Sequence, residues 1–185
     1  MGIKTPELDE AVRNAAAVAL SIFKEGNLKA HDKFNRLSEE AITAAEDLIP
    51  SYVIALFQII LRQAIVEGHL TGLERMPARK ILGILNVKFY DACKEHLVDG
   101  GFDKRTATRV SKNILYRTDL LIRETQQRII ENASILMTTV VLNKVFYGSI
   151  VGGWTEKTTP EEVTIVTYLN DLSNQVREKA DRWYW

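Results

Sequence analysis

The sequence predicts an all-α bundle of six or seven helices. Three observations point there. Apolar residues recur at spacings of three and four along most of the chain. Strong caps and breaks divide that pattern into helix-sized pieces. Only four prolines and ten glycines are present, which leaves little room for long loops.

Thr5-Pro6 opens the first helix, with threonine as cap and proline where no N–H is needed. Ala11, Ala15, Ala16 and Ala19 then share one face, small enough for another helix to approach closely. Gly26 ends it. Residues 27–37 read as a loop or a short helix. Ser38 caps 39–49, where Glu39 and Glu40 suit the positive end of the helix dipole. Pro50 is expected to stop that helix, because proline pushes the residue before it out of the α region. Residues 52–67 form the next helix and are apolar nearly all round. Such a helix belongs at the centre of a bundle or at an interface. Pro77 starts a short helix that carries Arg79 and Lys80 and ends near Gly83. Residues 87–98 form another, and Asp99-Gly100-Gly101 breaks it.

Asp103 caps the longest periodic segment, 104–147. Unbroken, it would be roughly 66 Å long. That exceeds the diameter of a compact bundle of this size, so a kink, a break or an elongated molecule is expected. Thr138-Thr139-Val140-Val141 has strand propensity but no period-two alternation, so it stays helical. Residues 148–153 read as a loop. Thr159-Pro160-Glu161-Glu162 is a capping box. Ile165, Leu169, Leu172, Val176, Ala180 and Trp183 then form a seam for one partner helix. Residues 1–185 are expected to make one domain, with 154–185 as its most separable part.

Composition excludes several classes. Hydrophobic residues are 46% and charged residues 26% of the chain, which excludes a disordered or collagen-like protein. A single cysteine, Cys93, excludes an intrachain disulfide and suits a reducing interior. No apolar signal region stands at the N-terminus, so an intracellular or virion location is expected. The apolar runs 48–61 and 133–154 are short or interrupted for a membrane span of about 20 residues. A membrane partner is therefore not expected.

Net charge is zero but unevenly placed. Residues 1–74 carry −4, residues 75–128 carry +6 and residues 129–185 carry −2. A local basic block of this kind can bind phosphate or pair with the acidic ends, in one chain or between copies. On a helix, Arg105, Arg109, Lys112, Tyr116 and Arg123 fall within a sector of roughly 60°. Ala107, Val110, Ile114, Leu121 and Ile129 fall opposite. Spaced cations can follow a phosphate backbone, and an exposed tyrosine can stack on a base. Arg79 and Lys80 extend the patch if the fold brings them near. A plain solvated face carries the same pattern.

No catalytic or cofactor signature stands out. His31, His69 and His96 are far apart, there is no cysteine cluster, and no metal is expected. Lys94 and His96 beside Cys93 would lower its pKa, but their helical positions make a poor dyad, and a half-buried thiol is the plainer reading. Trp183-Tyr184-Trp185 is costly to expose and favours association, by folding back or by docking into a second copy. The expected function is non-enzymatic: a homo-oligomeric assembly subunit that can hold nucleic acid, like a nucleoprotein or virion coat subunit. One rival is a dimeric nucleic-acid-binding regulator with a helix-turn-helix-like 90–115 segment. The other is an all-α enzyme with an acid site at Asp91, Glu95 and His96.

Overall fold

The computed structural model describes residues 5–25, 32–67, 76–129, 133–154 and 156–184. These form six α-helices and one 3-10 turn, with no strand among the described residues. The order is α1 (Thr5–Glu25), the turn Asp32–Phe34, α2 (Glu39–Val66), α3 (Ala78–Asp99), α4 (Lys104–Arg128), α5 (Ile135–Val151) and α6 (Pro160–Tyr184). The protein is an all-α helical bundle.

Helix α2 is the axis. It packs against α1, α3, α4, α5 and α6. Those five form an arc in the order α1, α3, α4, α5, α6, each touching the next. This explains why the second half of α2 is apolar nearly all round: Tyr52, Val53, Ile54, Ala55, Leu56, Phe57, Ile60, Leu61 and Ile65 are all buried. By length and composition α2 would cross a membrane, but 78% of its most apolar stretch lies inside the bundle. The alanine face of α1, at Ala11, Ala15, Ala16 and Ala19, is buried against its neighbours as its small size requires.

Pro50 does not stop the helix. Residues 39–66 are one helix, with Pro50 buried inside it. An interior proline costs about 3 kcal/mol. Burying one leucine or isoleucine contributes about 1.5–3 kcal/mol, and Leu48, Ile49, Tyr52 and Val53 flank the proline in the core. Two bonds from α4 also grip this turn. Ser51 Oγ donates to the Ile114 carbonyl at 3.0 Å, and Thr118 Oγ1 lies 3.2 Å from the Ser51 carbonyl. Burial therefore outweighs the local rule.

The two helices expected at 78–83 and 87–98 are also one. Gly83 is exposed within α3, and a helical glycine costs only about 1 kcal/mol. Ile81, Leu85, Phe89, Cys93 and Leu97 make one buried seam across it. The segment 104–147 is broken, as its length demands. The chain turns extended at Ile129, and Ser134 Oγ caps α5 by accepting from the Met137 N–H at 3.3 Å. The break lets α5 pack against α2, α4 and α6. The expected 148–153 loop is shorter, because α5 runs to Val151 and ends at Gly152 with φ +89°.

Asp103 caps α4, accepting from the Arg105 and Thr106 N–H groups at 2.9 and 3.0 Å. Thr159 caps α6, accepting from the Glu162 N–H at 3.1 Å. The α6 seam is buried at Ile165, Leu169, Leu172 and Val176. Helix α6 packs on α2, α5 and the 3-10 turn, and the side chains of Ala180 and Trp183 lie outside the described residues. A polar link crosses the core among α2, α5 and α6. Tyr52 OH donates to Asn143 Oδ1, and Asn143 Nδ2 donates to Asn170 Oδ1 at 2.7 Å.

Candidate functional site

Helix α4 presents two different surfaces. Its inner face is pinned by Ala107, Ser111, Ile114, Leu115, Thr118, Leu121, Ile122 and Thr125, all buried. The opposite face is set by that packing. Arg105, Arg109 and Lys112 are exposed there, and Tyr116 is 63% exposed. Arg105, Arg109 and Lys112 have no ion-pair partner among the described residues. Arg123 shares the face but is paired with Asp119 at 2.9 Å. Asp103 at the start of α4 is exposed. Hydrogen bonds from Thr106, then from the Arg105 N–H, hold its carboxyl below the ordinary aspartate range.

Arg79 and Lys80 are exposed but do not join Arg105 and Arg109. They sit at the start of α3, about 20 residues or roughly 30 Å from the turn beside Arg105. Residues 90–115 form the tip of the α3–α4 hairpin. Gly101, with φ +95°, makes its turn.

The second surface is an open cleft of about 710 Å³ between the first half of α2, the second half of α4 and Ser149 of α5. Four carboxylates line it, from Glu39, Glu40, Asp47 and Glu124, against one guanidinium, Arg117. Arg117 lies 3.7 Å from Asp47, and Arg128, outside the lining, lies 3.8 Å from Glu124. Leu48, Leu120 and Leu121 supply its apolar wall, with Leu120 41% exposed. Sequence reading missed this cleft. Its signal was the acidic stripe Glu39, Glu40 and Asp47 on one helix, but only the fold sets it beside Glu124.

A third feature also escaped the sequence reading. Helix α5 is apolar nearly all round like the second half of α2, yet it packs against three helices, where α2 packs against five. Its outer side is bare: Leu136 is 62%, Met137 55% and Val140 53% exposed. The strip continues through Lys144 to Val151. Trp154 lies close by, with the Arg128 guanidinium 4.7 Å and the Lys144 ammonium 5.0 Å from its ring centre. That arrangement is favourable because the ring face is electron-rich. Lys144 also lies 4.0 Å from the buried Glu162 carboxylate.

The reactive-group candidates separate. Cys93 is fully buried rather than half-buried, and burial pushes its thiol up to about 12. That is the opposite of the lowering its neighbours Lys94 and His96 would give, so no thiolate is held ready there. Asp91 and Glu95 line a cleft of about 240 Å³ with Asp9, Arg13 and Lys88, and Lys88 pairs with Asp9. His96 does not line it. Among the described residues no group of three or more His, Cys, Asp or Glu side chains is placed to hold a metal ion. His31, His69, Trp185 and the side chains of Trp183 and Tyr184 lie outside what is described. Set against known proteins, the chain matches no protein family, no curated protein and no solved structure.

Proposed function

We propose that this protein is a non-enzymatic assembly subunit that self-associates through the outer face of α5. One observation carries the reading. Leu136, Met137 and Val140 form an exposed apolar strip on a helix whose other sides are already packed. A buried apolar side chain of this size contributes about 1.5–3 kcal/mol, so covering three of them favours association. A contiguous apolar patch on a surface commonly marks an interaction site. The occupant proposed is a second copy of this chain.

A second reading rests on a separate observation, the exposed Tyr116 among Arg105, Arg109 and Lys112. In that reading the ridge holds nucleic acid. The cations neutralise phosphates and the ring stacks on a base. The protein would then be a nucleoprotein or virion coat-like subunit.

Light scattering after size exclusion, with absorbance at 260 and 280 nm, tests both. Wild-type protein is expected to exceed its 21.0 kDa chain mass. Met137→Glu with Val140→Glu is expected to return it to that mass. A monomeric wild type, or a double variant of unchanged mass, would overturn the α5 reading. Protein with no excess absorbance at 260 nm and no affinity for added oligonucleotide would overturn the second.

A further inference from the structure

We infer that the basic ridge of α4 docks into the acidic cleft of a second copy of this chain. This rests on the self-association reading above and adds a second contact to it. The two surfaces are complementary in charge. The ridge offers Arg105, Arg109 and Lys112 without ion-pair partners among the described residues. The cleft is lined by four carboxylates and one guanidinium, and it stays acidic overall although Asp47 faces Arg117 and Glu124 faces Arg128. They are complementary in polarity as well. Tyr116 stands 63% exposed among the cations, and the cleft has an apolar wall that includes the half-exposed Leu120. A ring on that wall with cations at the acidic rim satisfies both surfaces at once.

A chain cannot make this contact with itself. Ridge and cleft share one rigid helix. Arg105, Arg109, Lys112 and Tyr116 point on average about 100° away from Arg117, Leu120, Leu121 and Glu124, and the two groups are centred roughly 15 Å apart along the axis. The helix cannot fold its ridge into its own cleft. Only a neighbouring copy can bring them together. The zero net charge of the chain fits this arrangement, since copies do not repel one another as wholes. Because the two surfaces differ, the contact joins unlike patches, as in head-to-tail assemblies.

The inference makes a charge-swap prediction. Arg109→Glu with Lys112→Glu reverses the ridge, and Glu40→Lys with Glu124→Lys reverses the cleft. Sedimentation of the full chain reads the association, and circular dichroism checks that each variant remains helical. Each reversal alone is expected to weaken association by at least about tenfold. An equimolar mixture of the two, or all four substitutions in one chain, is expected to restore it. Wild-type association is expected to fall about tenfold between roughly 50 and 500 mM salt. Tyr116→Ala tests the same contact without a charge change, should a reversed cleft fail to fold, and is expected to weaken it.

The failures are distinct. A wild type that is monomeric at every salt concentration overturns both the assembly reading and this one. Association lost with Met137→Glu and Val140→Glu but insensitive to both reversals and to Tyr116→Ala overturns this inference alone. A ridge reversal that removes bound nucleic acid while leaving the mass unchanged assigns the ridge to nucleic acid and also overturns it. Rescue by the swapped pair supports it.

Discussion

Cys93 shows how burial governs a single group. Its neighbours in sequence, Lys94 and His96, suggest a polarised thiol. Packing instead removes it from water and raises its pKa to about 12. In the unfolded chain the thiol titrates near 8.5. Below that value both states hold the proton, and the contribution to stability is complete. Above it the unfolded chain loses the proton and the folded one keeps it, so stability falls until the pH passes about 12. Burial also raises Tyr52 and Tyr168, which add to the loss only above about 10. Chemical unfolding is therefore expected to show declining stability between about pH 8.5 and 10. Cys93→Ala is expected to flatten that slope. A slope equal to the wild type's would sink the assignment. In the polar link of the core, Asn143 Oδ1 accepts from Tyr52 and Asn143 Nδ2 donates to Asn170, which is how an asparagine survives inside an apolar helix.

At the scale of elements, ends were easier to read than continuity. Ser38, Asp103 and Thr159 each cap a helix as their side chains suggest. Pro50 and Gly83 carry the local chemistry of helix breaks, yet each lies within a helix. The local cost of one proline or one glycine is a few kcal/mol at most, and burial on both flanks exceeds it. Gly152 is different, because its φ of +89° is a backbone state that other residues adopt at a cost. Gly152→Ala is expected to lower stability by about 1–2 kcal/mol. Gly153→Ala, whose added carbon meets nothing within 4 Å, is expected to cost less than about 0.5 kcal/mol. Thermal melts of the two variants check this, and equal losses would contradict it. Close approach rather than dihedral angle makes Gly148 small. A methyl group there would sit 3.2 Å from the Gly153 carbonyl oxygen.

The whole molecule is organised by α2 and its five helical neighbours. Damage to that axis should reach every other helix together. Phe57 is fully buried at its middle, and Phe57→Ala is expected to cost about 3–5 kcal/mol. That is a large part of the roughly 5–15 kcal/mol that a domain has. The variant is expected to unfold in one transition, coincident by circular dichroism and tryptophan fluorescence. Separate transitions would mean that α6 or α1 unfolds independently of the axis. The same architecture accounts for the bare strip on α5. A central helix can be enclosed, whereas a peripheral helix that is apolar nearly all round leaves one side uncovered.

The order of amino acids alone specifies the all-α class, the apolar centre, the caps of α2, α4 and α6, and the outward ridge at Arg105, Arg109, Lys112 and Tyr116. These follow from local chemistry and helical period, which act over a few residues. It also required the long 104–147 segment to break or the molecule to stretch, through a length argument alone. Tertiary structure decided the rest. Whether Pro50 and Gly83 end a helix depends on what their flanks are buried against. The acidic cleft needs Glu40 of α2 and Glu124 of α4 on the walls of one cleft, though they lie far apart in the chain. The bare strip on α5 appears only once the neighbours of each apolar helix are known. Enclosure is a property of the packed bundle, and no window of sequence contains it.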